Sequence, residues 1–84
     1  MKVRITGSAA RSYDGLPLVI KLRVLRVFER PASWPAVSGV KALSGPLAGH
    51  FRLRTGDYRV QLRVEREAVI VERVGHRDGF YDER

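Results

Sequence analysis

The chain has 84 residues, 44% of them apolar, no cysteine, and 16 Lys/Arg against 9 Asp/Glu, for a net charge of +7. That length leaves no room for a second lobe, and such a domain buries only about 60 to 65% of the surface its unfolded chain exposes. The composition excludes a disulfide framework and a thiolate nucleophile, is too rich in Val, Ile and Leu for disorder, and calls for an acidic partner: nucleic acid, a membrane surface or an acidic protein.

Met1-Lys2-Val3-Arg4 runs directly into an alternating segment, so no signal peptide is expected. Leu18-Val19-Ile20, the longest aliphatic run near the amino terminus, is far short of the roughly 20 residues that span a bilayer. A soluble protein in a reducing cytoplasm, with no membrane partner, fits. Lys2 to Thr6 alternates and predicts a strand. Gly7-Ser8 offers a cap for a short helix through about Asp14, stopped by Gly15. Pro17 suits the first turn of a second helix, with Leu18, Leu22, Leu25 and Phe28 on one side and Arg23, Arg26 and Arg30 on the other. Ile20 to Val24 also alternates with period two, so a strand competes with the favoured helix over residues 18–28. Pro31, Ser33, Pro35 and Gly39 mark a loop over 31–40. Trp34 there is expected to fold back on the core, with a ligand platform as the alternative. Residues 41–49 read as a second irregular stretch.

Residues 50–63 alternate on both sides of Gly56-Asp57, a pair suited to a tight hairpin turn. A two-residue loop fixes the register: Thr55 faces Tyr58, Arg54 faces Arg59, Leu53 faces Val60, Arg52 faces Gln61, Phe51 faces Leu62 and His50 faces Arg63. One face is then Phe51, Leu53, Val60 and Leu62, and the other is His50, Arg52, Arg54, Arg59, Gln61 and Arg63. No acid is expected on that second face. Like charges directly opposite, as in Arg54 and Arg59, cost roughly 0.2 to 1 kcal/mol, so an anion is the natural missing partner. Glu65-Arg66-Glu67 predicts a polar turn and Ala68 to Val74 a largely buried return strand, giving a three-stranded antiparallel meander over 50–74.

With a turn at Arg66-Glu67, Arg59 is expected beside Val74, which brings Gly75-His76-Arg77 near the Arg54/Arg59 pair. Arg52, Arg54, Arg59 and Arg77, the imidazoles of His50 and His76, and the Tyr81 phenol would then share one concave patch suited to phosphate. Arginine forks bind phosphate oxygens in pairs and stay charged, while histidine or tyrosine exchanges protons or stacks on a base. The competing reading is a solvated basic sheet face with incidental histidines and a Tyr81 that packs the tail. No paired-carboxylate, Ser/His/Asp or phosphate-loop pattern stands out, and two histidines without acidic clusters make a zinc site unexpected.

The order of Lys41-Ala42-Leu43-Ser44-Gly45, then residues 51–60, then Val74-Gly75-His76-Arg77 with Tyr81 shortly after, resembles the RelE/ParE superfamily of toxins from bacterial and archaeal toxin–antitoxin pairs. The resemblance covers about residues 41–81, and implies one RelE-like α+β domain over 1–84. In that domain an amino-terminal strand and two helices pack on a small antiparallel sheet that ends in the meander. For the RelE branch it implies a type II toxin that is a ribosome-dependent mRNA endoribonuclease, or mRNA interferase. Such a toxin inhibits translation without cofactor or metal. Arg52, Arg59, Arg77 and Tyr81 match active-site positions of that branch. His50 stands where some relatives carry lysine, and an imidazole can shuttle protons near neutral pH. Lys41, Arg54, Arg63 and His76 are the expected RNA-binding residues. The implied partners are mRNA in the ribosomal A site and a cognate antitoxin, acidic and partly disordered, in a toxin–antitoxin hetero-oligomer. A ParE-like DNA gyrase inhibitor without nuclease activity, or an inactive RNA-binding relative, is the alternative.

Overall fold

The computed structural model describes residues 2–34 and 39–80. Strand β1 (Lys2–Ile5) leads into helices α1 (Gly7–Asp14) and α2 (Leu18–Glu29), a 3-10 turn (Arg30–Ser33) and the two-residue strand β2 (Lys41–Ala42). After a second 3-10 turn (Gly45–Leu47), β3 (His50–Thr55), β4 (Tyr58–Glu65) and β5 (Ala68–His76) form the meander, and a helical turn α3 (Arg77–Phe80) follows. The five strands make one sheet in the order β1-β5-β4-β3-β2. Two strand placements differ from expectation. β1 joins parallel to β5, so the sheet is mixed rather than antiparallel, and Lys41–Ala42 is an edge strand on β3 rather than irregular chain.

The β3–β4 register is the one the alternation predicts at all six pairs from His50↔Arg63 to Thr55↔Tyr58. Gly56 supplies it with φ of 56°, and Asp57 keeps a negative φ, the type II′ pattern that follows the twist of the strands. The β4–β5 register departs from the simple meander. Gln61 pairs with Arg73 and Leu62 with Val71, so Glu72 is an extra residue in a β-bulge. The bulge keeps Val69, Val71 and Val74 all in the core although their spacing is two and then three. It also moves Gly75, not Val74, opposite Arg59.

Helices and sheet meet in a core of Ala9, Val24, Val27, Phe28, Leu53, Val60, Leu62, Val69, Val71 and Val74. The α1 cap is Thr6, whose Oγ1 accepts from Ala9 N at 3.1 Å, rather than Gly7-Ser8. Pro17 sits at the cap of α2 instead of inside it, and residues 18–28 are helical, which settles the helix–strand choice. The buried stripe of α2 is Val24, Val27 and Phe28 with Ile20 beside them. The expected stripe is thus wrong except at Phe28: Leu18 is 71% exposed, Leu22 55% and Leu25 44%. Both stripes have helical spacing, and the slimmer β-branched set approaches the strands closely, leaving the leucines outside. Trp34 packs edge-on to Phe51 at 4.8 Å between ring centres, the core role expected for it. Among the described residues no helix is long and apolar enough to cross a membrane.

Candidate nucleic-acid interface

Because paired residues share a face, the register sorts the side of the sheet away from the helices into rows. Lys41, Arg52, Gln61 and Arg73 form one row across four strands, and Arg54, Arg59 and Gly75 form the next toward the hairpin turn. His50, Arg63, Ile70 and Arg4 form the row on the other side. Lys41, Arg52 and Arg54, with Gly39 and Leu53, line a cleft of about 290 Å³.

Electrostatics divide this surface. Burial first, and then the charges of Arg59 and Arg54, lower the Arg52 pKa from its ordinary value. A guanidinium stays protonated regardless, so the shift reflects a partly desolvated cation with two like charges beside it rather than titration. Arg59 is buried, at 9% exposure; its Nη1 donates to the carbonyls of Gly56 at 3.1 Å and Tyr58 at 3.3 Å. Its Nε is buried with no hydrogen-bond partner among the described residues. A buried donor left so costs roughly 1 to 3 kcal/mol, which an anionic oxygen at that nitrogen would offset.

In the opposite row, His50 and Arg63 are paired with an acid. Glu72, delivered by the bulge, accepts hydrogen bonds from Gln61 Nε2 at 3.0 Å and Arg63 Nη1 at 3.1 Å, and pairs with His50 Nδ1. Burial alone would raise its pKa, but the bonds from Gln61, His50 and Arg63 outweigh that and hold the carboxyl below its usual value. An acid therefore does lie on the cationic face. It comes from the neighbouring strand, and the hairpin alone does not mark it; the uneven spacing of Val69, Val71 and Val74 is the sequence signal that a residue between them is displaced.

The chain is 35% identical to a chain of the toxin–antitoxin complex RelBE2 from Mycobacterium tuberculosis, over 90% of its own length and 96% of the other, with a TM-score of 0.77. It belongs to the RelE toxin family. At lower identity the fold alone is shared. The RelB–RelE antitoxin–toxin complex of Methanococcus jannaschii aligns at 22% identity over 94% of this chain and 95% of that one, with a TM-score of 0.77. The isolated RelE toxin of Escherichia coli aligns at 15% over 89% and 82%, with a TM-score of 0.73. No family model matches the sequence, and no curated protein matches it significantly. The RelE-like α+β architecture expected from the sequence is the one observed.

Within this RelE fold the expected site residues do not all converge. Arg52, Arg54 and Arg59 share the open half of the face with Lys41, while His50 and Arg63 are tied to Glu72. Arg77 opens α3 at the hairpin turn: its backbone N donates to Asp57 O at 2.7 Å, and its Nε lies 3.8 Å from Asp57 Oδ1 and 3.7 Å from Asp78 Oδ1. His76 is not in the patch. Its register partner Tyr58 packs against the core, and the two rings meet edge-on at 5.2 Å, which puts His76 on the helix side of the sheet. The bulge is the physical reason, because it advances the β5 register by one residue and inverts the faces beyond it. Tyr81 lies outside the described residues.

Proposed function

We propose that this RelE-family chain is a cytoplasmic toxin domain that cleaves mRNA in the ribosomal A site as a metal-independent endoribonuclease. The observation that carries the reading is the crowding of Arg52, Arg54 and Arg59 beside a cleft that Lys41 also lines. Mutually repelling guanidinium groups, one with a buried unpaired donor, are stabilised by a phosphodiester and by the still greater charge of its phosphorane. In the reaction the 2′-oxygen attacks the adjacent phosphorus and the bond to the 5′-oxygen breaks, leaving a 2′,3′-cyclic phosphate and a 5′-hydroxyl. Arg52 and Arg59 bind the phosphorus oxygens and Arg54 and Lys41 orient the strand. Resemblance to the family adds Arg77 and Tyr81 to the catalytic set. The test is to induce the chain alone and map mRNA 5′ ends, then repeat with purified message with and without ribosomes. Cuts inside coding frames that require ribosomes support the reading, and intact messages accompanied by DNA damage would point instead to gyrase.

The chain also has a cognate antitoxin in this reading, with the complexes of its relatives as support. Leu18, Leu22 and Leu25 form an exposed stripe on α2, in a helix that carries Lys21, Arg23 and Arg26 against the single acid Glu29. That combination fits an acidic amphipathic segment. Leu22→Glu is expected to weaken co-purification with the antitoxin by roughly tenfold or more, the loss typical of a central apolar anchor, and to leave RNA cleavage unchanged. Undiminished capture by that variant would move the antitoxin to another face.

A further inference from the structure

We propose that Glu72 positions His50 as the general base of this chain, a two-residue relay assembled by the β-bulge. The inference rests on the nuclease reading above and adds to it the atom that takes the proton. An ionised carboxylate only accepts hydrogen bonds, so the His50 nitrogen facing it, Nδ1, must carry the hydrogen. In the neutral ring that leaves Nε2 as the acceptor. Glu72 is in turn held by Gln61 and Arg63 and is only 15% exposed, which fixes the imidazole from below. Its lowered pKa keeps it ionised across the neutral range, so the tautomer does not change there.

The placement suits the chemistry. His50 stands two residues before Arg52 on the same strand and the same face, a separation of roughly 6.5 Å along the backbone. A phosphodiester held by Arg52, which lines the cleft, would lie one same-face position along β3 from the imidazole, whose side chain is 28% exposed. In the forward step the 2′-hydroxyl proton passes to Nε2 as the 2′-oxygen bonds to phosphorus, and the departing 5′-oxygen takes a proton from solvent. The Glu72 carboxylate offsets the positive charge that appears on the ring, the service a buried acid renders to a catalytic histidine.

The test measures kcat and KM on ribosomes programmed with a defined message, for the wild type, Glu72→Gln, His50→Asn, His50→Ala and the double variant. Glu72→Gln keeps the shape and loses the charge. It is expected to lower kcat roughly 100-fold, the lower end of what a positioned base contributes, with KM little changed. His50→Asn, whose amide still donates to Glu72, is expected to lose as much. In the His50→Ala background Glu72→Gln should have no further effect, because the carboxylate acts only through the ring. Nitrogen-15 spectra of the ring should show hydrogen on Nδ1 in the wild type and a tautomer mixture in Glu72→Gln, so that the loss in kcat accompanies a loss of the tautomer with Nε2 free to accept. A wild type that cleaves while Glu72→Gln or His50→Asn retains full kcat overturns the relay and leaves the nuclease reading standing. So does a further loss on adding Glu72→Gln to His50→Ala. A wild type that cuts nothing on the ribosome overturns both.

Discussion

One face of the sheet carries two regions of nearly the same composition and opposite electrostatic outcome. Around Glu72, the basic residues His50 and Arg63 and the amide of Gln61 find a carboxylate and form a closed network. One to two rows nearer the hairpin turn, Arg52, Arg54 and Arg59 crowd one another beside an open cleft, with a buried Arg59 Nε left unpaired. Counting positive charges does not distinguish the halves. One half receives Glu72 from the neighbouring strand, and a single inserted residue places it there. In the reading proposed above, the paired half orients the base and the crowded half supplies the charge that a phosphodiester offsets.

The largest expected effect is on the crowded half. Arg59→Ala or Arg52→Ala should lower ribosome-dependent cleavage by roughly 10² to 10³-fold, as removal of one charge-stabilising donor does elsewhere. The same substitution at Arg63 should cost far less activity, and equal losses at Arg63 and Arg59 would erase the distinction between the two arginines. Next in size is stability at the satisfied half. Glu72→Leu strands several donors and is expected to cost roughly 1 to 3 kcal/mol in chemical denaturation.

The pH dependence of that term has a definite sign. The folded-state pKa of Glu72 lies below its unfolded value, so its contribution is fully present above the ordinary carboxylate range near about 4.3 and fades as the pH falls through the lowered value. Acid unfolding curves of wild type and Glu72→Leu should therefore converge at low pH and separate above it. Curves that stay parallel throughout would mean that the charge on Glu72 contributes nothing.

The smallest effect is the most specific. Arg54→Thr removes a like charge opposite Arg59 and should stabilise the free protein by a few tenths of a kcal/mol, raising Tm by about 1 to 4 °C, while weakening RNA binding. A variant less stable than the wild type would show that the arginines do not repel one another measurably.

Much of this was readable from residues 50–63, where strict alternation and Gly56-Asp57 leave one register and hence one cationic face. The break came at β5. A strand read with period two sets Arg59 against Val74, whereas keeping Val69, Val71 and Val74 all buried demands the bulge that places Glu72 on the arginine face and turns His76 away from it. Burial of three valines outweighs an unbroken ladder, and strand propensity does not express that trade. In α2 the ambiguity was of another kind: the helix is apolar on two stripes, and only the distance available above the strands chooses Val24 and Val27 over Leu22 and Leu25. The parallel pairing of β1 with β5 depends on how two helices return the chain, which no local pattern encodes.

The chemistry depends on where a phosphodiester lands. Titrating a nitrogen-15 labelled sample with a short single-stranded RNA and following the arginine side-chain Nε–H resonances tests it directly. Arg52, Arg54 and Arg59 are expected to respond together, while Arg63, already held by Glu72, changes little. A response centred on Arg63, or spread evenly over every arginine, would contradict it.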